Sequence, residues 1–425
     1  MTMKSLLLGA AAGIAAIGTA QAADLPMTKG EAVEYVKVCS AFGPGFFYIP
    51  GSDTCLKIGG EIRADYRGFG GDNIGFVKNT DTDNVFLSKG KFNRNNDRIK
   101  FNTQGRIWFD ARTETEWGLL RSYFQINADS NHWSGTRNRF QIDKAFIQFG
   151  GLTAGYAHSF FGFYDNDYGN TIWAPYYAES NTVNLIAYTA QFGGGFSATL
   201  SIEDGRDHRQ DGWGVSDFAV QGGQQVPDVV GQLRFDQSWG AVAVQAAGHQ
   251  NRTAEALLPR SNKYGYAVGG TALIKIPAID GGHFIVEGQY ANAALDYLGA
   301  GNTVLGGADR IIDINGRYQN GKGWSVVAEL GGNITPTLAA NLVGSYIDTK
   351  YDRAFDARKT SIREYTIAGN LVYTIVKGLT IGAEVAYTNV RAKGFPTSAD
   401  LGETVQVGNA KANIWSAGVR LKRTF

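Results

Sequence analysis

The eleven residues that end the chain constrain its fold more than any other stretch. They read Trp415-Ser-Ala-Gly-Val-Arg-Leu-Lys-Arg-Thr-Phe425. Trp415, Ala417, Val419, Leu421, Arg423 and Phe425 fall on one side; Ser416, Gly418, Arg420, Lys422 and Thr424 fall on the other. A period of two is a β-strand with one apolar and one polar face. A soluble edge strand reads the same way. Here the chain stops on an aromatic, and the alternation recurs far upstream. Strands of this kind suit a closed barrel in a membrane, with the apolar face toward lipid and the polar face toward water. Arg423 is the misfit on the apolar face, placed where a long basic side chain can snorkel to headgroups.

Upstream, Ile99, Phe101, Ile107 and Phe109 alternate with Arg98, Lys100, Arg106 and Asp110. Leu120, Phe124 and Ile126 alternate with Arg121, Tyr123 and Gln125. Tyr365, Ile367, Leu371 and Tyr373 alternate with Glu364, Thr366 and Asn370, and Leu379, Ile381 and Val385 with Thr380, Gly382 and Glu384. Tyr365 and Tyr373 share a face about 26 Å apart at roughly 3.3 Å per residue, which fits two interfacial girdles. Short turns such as Gly150-Gly151 and Lys377-Gly378 lie between longer polar connections, the two-sided asymmetry of outer-membrane barrels. The alternation predicts sixteen strands, from 55–69 through to 410–425. The least defined is the twelfth, where Ile311 to Tyr318 competes with 322–331. The fold class is all-β, a sixteen-stranded antiparallel transmembrane β-barrel.

The first residues address the compartment. Lys4, an apolar run from Leu6 to Ile17 and Ala20-Gln21-Ala22 form a secretory signal peptide over 1–22, leaving one barrel domain over 23–425. Removing Lys4 takes the formal net charge from +1 to zero, so no nucleic-acid-binding bias remains. No later apolar run reaches 18 residues. The 56 glycines and 12% aromatics suit strands with glycine turns and aromatic belts, although a secreted soluble β-protein has a similar composition. Cys39 and Cys55 are the only cysteines, and an exported chain meets an oxidising compartment, so they are expected to pair. A redox or metal site is the alternative, but it lacks a third ligand nearby.

Several stretches resemble the general-diffusion porin family typical of alphaproteobacteria. They are Tyr35-Val36-Lys37-Val38-Cys39, Phe46 to Gly51, Thr54-Cys55-Leu56-Lys57-Ile58-Gly59-Gly60, Lys144 to Gly155, and the terminal strand ending at Phe425. The resemblance covers nearly the whole mature chain except the variable loops. It implies a homotrimer in the Gram-negative outer membrane, surrounded by lipid and lipopolysaccharide, with the third loop folded into the pore. Its traffic would be small hydrophilic solutes and ions, without a cofactor.

The third loop, Ser159 to Thr182, carries Asp165, Asp167 and Glu179 and no Lys or Arg. The inward faces of the first three strands carry Arg63, Arg67, Arg98, Lys100, Arg106, Arg112 and Arg121. An acidic loop opposite a basic wall sets up a transverse field at a constriction. Glu61, Asp65, Asp110 and Glu114 share those faces, and the loop acids are alternatively plain solvated charges. Phe160, Phe161, Phe163, Tyr164, Trp173, Tyr176 and Tyr177 either pack the loop or form a sugar-stacking track. His132, His158, His208, His249 and His283 lie in no nucleophile or metal motif, so no catalytic or metal residue is expected. A structural barrel or adhesin without transport is the competing reading.

Overall fold

The computed structural model describes residues 37–78, 85–130, 139–167, 169–210, 221–254, 260–312, 317–352, 359–395 and 408–425. The expected signal peptide lies outside them.

Sixteen strands form the barrel. The first eight are β1 (Cys55–Lys78), β2 (Ile99–Thr115), β3 (Gly118–Asp129), β4 (Arg139–Phe149), β5 (Leu152–His158), β6 (Thr182–Gly193), β7 (Phe196–Glu203) and β8 (Asp228–Gln237). The rest are β9 (Gly240–Arg252), β10 (Asn262–Lys275), β11 (Asp280–Asn292), β12 (Lys322–Thr335), β13 (Leu338–Tyr351), β14 (Thr360–Val376), β15 (Leu379–Lys393) and β16 (Asn409–Thr424). Each pairs antiparallel with the next, and β16 returns to β1 with Glu61 opposite Thr424 and Gly71 opposite Ile414. The final residue completes the seam. Phe425 N donates to the Gly60 carbonyl at 2.9 Å, and Gly60 N donates to the Phe425 carbonyl at 3.0 Å. The Phe425 ring packs where a Cβ on Gly60 would sit, 2.5 Å away, so glycine leaves room for the terminal ring. With no free edge, each strand is hydrogen-bonded to a neighbour on both sides, the arrangement a lipid environment favours.

The ambiguous stretch before β12 is a separate small hairpin. Arg310–Ile312 pairs with Tyr318–Asn320 inside the sixth loop, and β12 itself starts at Lys322. The outer face is apolar, with Ile62, Leu200, Leu233, Val244, Leu342 and Ile367 all exposed. Near the long-loop end, Tyr290 sits opposite Trp324, Tyr346 opposite Tyr365, and Tyr387 opposite Trp415. Their rings meet, at 4.9 Å for Trp324–Tyr346 and 4.5 Å for Tyr387–Trp415. This is an interfacial girdle spanning β11 to β16. Tyr373 and Phe425 lie exposed toward the short turns on the same outer face.

Two departures from a polar interior appear. The sixth loop, between β11 and β12, is packed rather than solvated: Ala294, Leu295, Tyr297, Leu298 and Ile311 are buried together with Ile347, Ile362 and Val390 of the inner wall. Ile74 and Leu87, from the hairpin that β1 forms with Val85–Lys91, join the same cluster. The second departure is at the N-terminus. The expected Cys39–Cys55 disulfide is present and buried with Phe46. Arg112 and Lys57 lie over the Phe46 ring at 4.9 and 5.7 Å, tying this knot to the inner wall.

Candidate functional site

The third loop leaves β5 at Ser159 and is pinched at its base, where Ser159 N donates to the Asn181 carbonyl at 3.1 Å. Phe160 N donates to Glu203 of β7 at 3.1 Å, and the loop then meets four more inward-facing glutamates, one from each of four strands. Phe163 N and Tyr164 N donate to Glu287 of β11 at 3.2 and 3.3 Å. The preceding Gly162 has φ +84° and lies against the same carboxylate, 2.5 Å from where a Cβ would be, so no other residue fits. A single helical turn follows, α1 (Tyr164–Asp167). Tyr164 OH and Asn170 N donate to Glu329 of β12 at 2.8 and 3.1 Å. Ile172, Trp173 and Ala174 donate three successive backbone N–H groups to Glu384 of β15 at 2.6, 2.8 and 2.8 Å. Tyr177 N donates to Ser345 of β13 at 2.7 Å, and Tyr177 OH to Glu364 of β14 at 2.5 Å. A loop of irregular backbone needs acceptors for its N–H groups, and these carboxylates supply them.

The sixth loop buttresses the third. Asn302 donates to Ser180 Oγ at 3.0 Å, and Val304 N donates to Glu364 at 3.1 Å. Beside this contact lies an enclosed cluster. His208 of the fourth loop meets Glu203 at 2.9 Å, Asp296 at 3.4 Å and Glu179 at 3.9 Å.

On β1 to β3 the inward charges form an interleaved ladder. Arg63 bonds Gln104 and lies 3.8 Å from Glu61. Arg106 donates to Asn127 at 2.8 Å and lies 3.6 Å from Glu61. Arg112 and Arg121 both grip Asp110, at 2.7 and 2.9 Å. Arg420 of β16, which the sequence reading passed over, pairs with Asp65 at 2.6 Å. The tip of the third loop reaches this wall through Trp173, whose ring lies 5.4 Å from the Arg67 guanidinium and 5.2 Å from that of Arg420. Arg98 sits apart, exposed, with Nε 3.5 Å from the Phe69 carbonyl. Lys100 is 5.7 Å from the Phe69 ring.

The three loop acids have different surroundings. Asp165 faces His158 at 3.5 Å and keeps about a fifth of its side-chain surface exposed. Burial pushes its carboxyl up to about 7; Lys144 opposes the shift and Asp143 adds to it. Asp167 ends the helical turn, and its side chain lies outside the described residues. Glu179 is enclosed at 5% exposure beside His208, and burial holds its carboxyl well above the usual range, with His208 opposing. The four docking glutamates were also missed. Their signal was a lone acid in the middle of an inward face, as in Thr380-Gly382-Glu384.

A closed barrel of this size, apolar outside and lined by charge inside, is a membrane channel. The model of the Porin subfamily matches residues 24–417, and the chain belongs to that family. It is a passive channel of the Gram-negative outer membrane. It is 28% identical to the Porin Omp2b proteins of Brucella suis biovar 1 (strain 1330) and Brucella abortus (strain 2308), over the whole length of each. Among solved structures, the outer membrane channel DcaP of Acinetobacter baumannii superposes with a TM-score of 0.62 at 13% identity, covering 89% of this chain and 99% of that one. The trimer form of Vibrio cholerae OmpT gives 0.50 at 10% identity, covering 88% and 100%. At these identities the two structures bear on the fold alone.

Proposed function

We propose that the third loop forms the constriction of this channel, leaving a charged passage between itself and the basic wall of β1 to β4. The observation that carries this reading is the glutamate series. Glu287, Glu329, Glu364 and Glu384 hold the loop against the far wall, while Arg63, Arg106, Arg112 and Arg121 keep a fifth to a quarter of their side chains exposed on the near one. Small hydrophilic solutes and ions cross this gap by diffusion, with no catalytic step. Asp165 is the loop acid that shapes the field; Glu179 serves to hold the loop base, and Asp167 follows Asp165 in the same turn. The Trp173 ring, gripped by two arginines, anchors the loop rather than stacking sugars. Three such barrels assemble as a homotrimer, their girdles in contact with lipid and lipopolysaccharide.

Planar-bilayer recording in a salt gradient tests the reading. Below about pH 7 Asp165 gains a proton and its negative charge disappears. The reversal potential therefore shifts toward anion preference as pH falls through that range, and Asp165→Asn abolishes the step. Neutralising Arg63, Arg106 and Arg121 together shifts it toward cations. An unchanged reversal potential in both variants means that ions do not pass between these residues.

A further inference from the structure

Next to the third loop is a cavity of about 390 Å³ whose lining contains three cations, Arg121, Lys144 and Arg234, and neither Asp nor Glu. Its walls are also aromatic. Tyr123 and Phe146 stack at 5.3 Å with 19° between their planes, and Phe163 lies under the Arg234 guanidinium at 4.2 Å. Two of the cations are already engaged. Arg121 is bound to Asp110 and to Gln148, and Arg234 to Asp236. Lys144 differs from them. It is half-buried, and among the described residues its ammonium has no hydrogen-bond or salt-bridge partner. The acids nearby are committed elsewhere: Asp143 accepts from Asn127 at 2.8 Å and also from Gln125, while Asp165 faces His158.

A half-buried ammonium that feels Asp143 and Asp165 but bonds to neither, beside a flat apolar wall, is complementary to an anion carrying a planar apolar body. We propose that this cavity is a saturable binding site for small aromatic carboxylates, with the carboxylate on Lys144 and the ring against Tyr123, Phe146 and Phe163. Arg121 and Arg234 add field without giving up their present partners. Gln148 and Gln232, which also line the cavity, offer amide hydrogen bonds at its polar edge. The site lies on the basic side of the third loop, so the proposal rests on that loop's bounding the passage. A bound anion then obstructs the current of other ions.

The experiment uses the full-length mature protein in planar bilayers at pH 6, in about 0.1 M KCl so that screening is moderate. Benzoate is titrated, with acetate and benzamide as controls for the ring alone missing and the charge alone missing. Benzoate is expected to reduce the KCl current saturably, at a half-blocking concentration about tenfold below that of acetate or benzamide. Lys144→Met is expected to raise that concentration about tenfold, and Lys144→Arg to restore it to within about threefold of wild type. Equal effects of the three solutes on the wild-type channel, or equal benzoate block in wild type and Lys144→Met, overturns the proposal. The wild-type comparison stands even if the variant fails to assemble. A normal KCl conductance without benzoate block refutes this site alone, whereas insensitivity of the reversal potential to Asp165 and the arginines refutes the underlying loop reading.

Discussion

Replacing Glu384 by Ala should free the tip of the third loop without unfolding the barrel. The carboxylate accepts three consecutive backbone N–H groups, from Ile172, Trp173 and Ala174, at 2.6 to 2.8 Å, and one from the Asn370 side chain at 3.2 Å. A hydrogen bond to a charged group contributes about 1.5–3 kcal/mol, so three set an upper bound of roughly 5–9 kcal/mol. Water reduces that bound. Ile172 and Trp173 are half-buried and can rehydrate, whereas Ala174 is 3% exposed and its N–H cannot. One stranded N–H at about 1–3 kcal/mol and two replaced by water at about 0.5–1 kcal/mol each give a loss of about 2–5 kcal/mol. What still holds the tip is Trp173 between Arg67 and Arg420, about 0.5–1 kcal/mol for each partly exposed contact, together with the Asn170–Glu329 bond. A shift of about 3 kcal/mol changes the docked-to-undocked ratio by more than a hundredfold. Single-channel recording should show larger mean conductance and added open-channel noise in Glu384→Ala. Glu384→Gln, which keeps one acceptor oxygen, should fall between it and wild type. Wild-type conductance and noise in a correctly assembled Glu384→Ala channel would refute the pinning by this carboxylate.

Two further outcomes test the wall and the enclosed cluster. Ile381→Arg, on the exposed outer face, should cost about 2–4 kcal/mol and impair assembly, while Thr380→Arg on the inner face should assemble normally; equal yields of folded protein would overturn the facing. His208 is fully buried, which alone would strip its proton, but hydrogen bonds to Asp296 and Glu203 hold its pKa well above the usual value. A raised folded pKa contributes stability that is complete below the unfolded value, about 6.5, and is lost as pH rises through the folded one. His208→Gln should therefore lower thermal stability most below about pH 6.5 and progressively less at alkaline pH, and a pH-independent loss would contradict a charged His208.

The barrel was legible because the membrane imposes one rule on every strand. Ile367 must face lipid and Thr366 must not, so a period of two runs the length of each span and the sixteen strands could be placed from it. The closure at Phe425 was legible for the same reason. Facing did not, however, reveal what covers an inward residue. Thr366 is inward as expected, yet it is 2% exposed because Tyr177 OH lies 2.8 Å from its hydroxyl. A bulky substitution there would displace the third loop rather than enter open water, unlike one at Thr380.

The packed sixth loop left a trace in the sequence that can be stated physically. An inner wall facing only water should be polar to its end, but Val230, Ile347, Ile362 and Val390 are inward-facing, apolar and almost completely buried. Each lies toward the long-loop end of its strand, beyond inward polar residues such as Gln232, Ser345, Glu364 and Thr388. Left bare, these side chains would expose apolar surface to the vestibule at about 25 cal/mol per Å². A cover is therefore required, and Leu295, Tyr297, Leu298 and Ile311 of the sixth loop supply it with Ile74 and Leu87 of the first. The larger apolar cluster under the sixth loop draws its wall residues mainly from β8 to β16, and a smaller one, with Ala157, Val183, Leu185 and Ala187, lies on β5 and β6 beside the base of the third loop. On β2 and β3 the inward faces instead carry Arg106, Arg112 and Arg121, which keep about a quarter of their side chains exposed. The place proposed for the charged passage thus rests on where the polar-inward rule holds, as much as on where the charges lie.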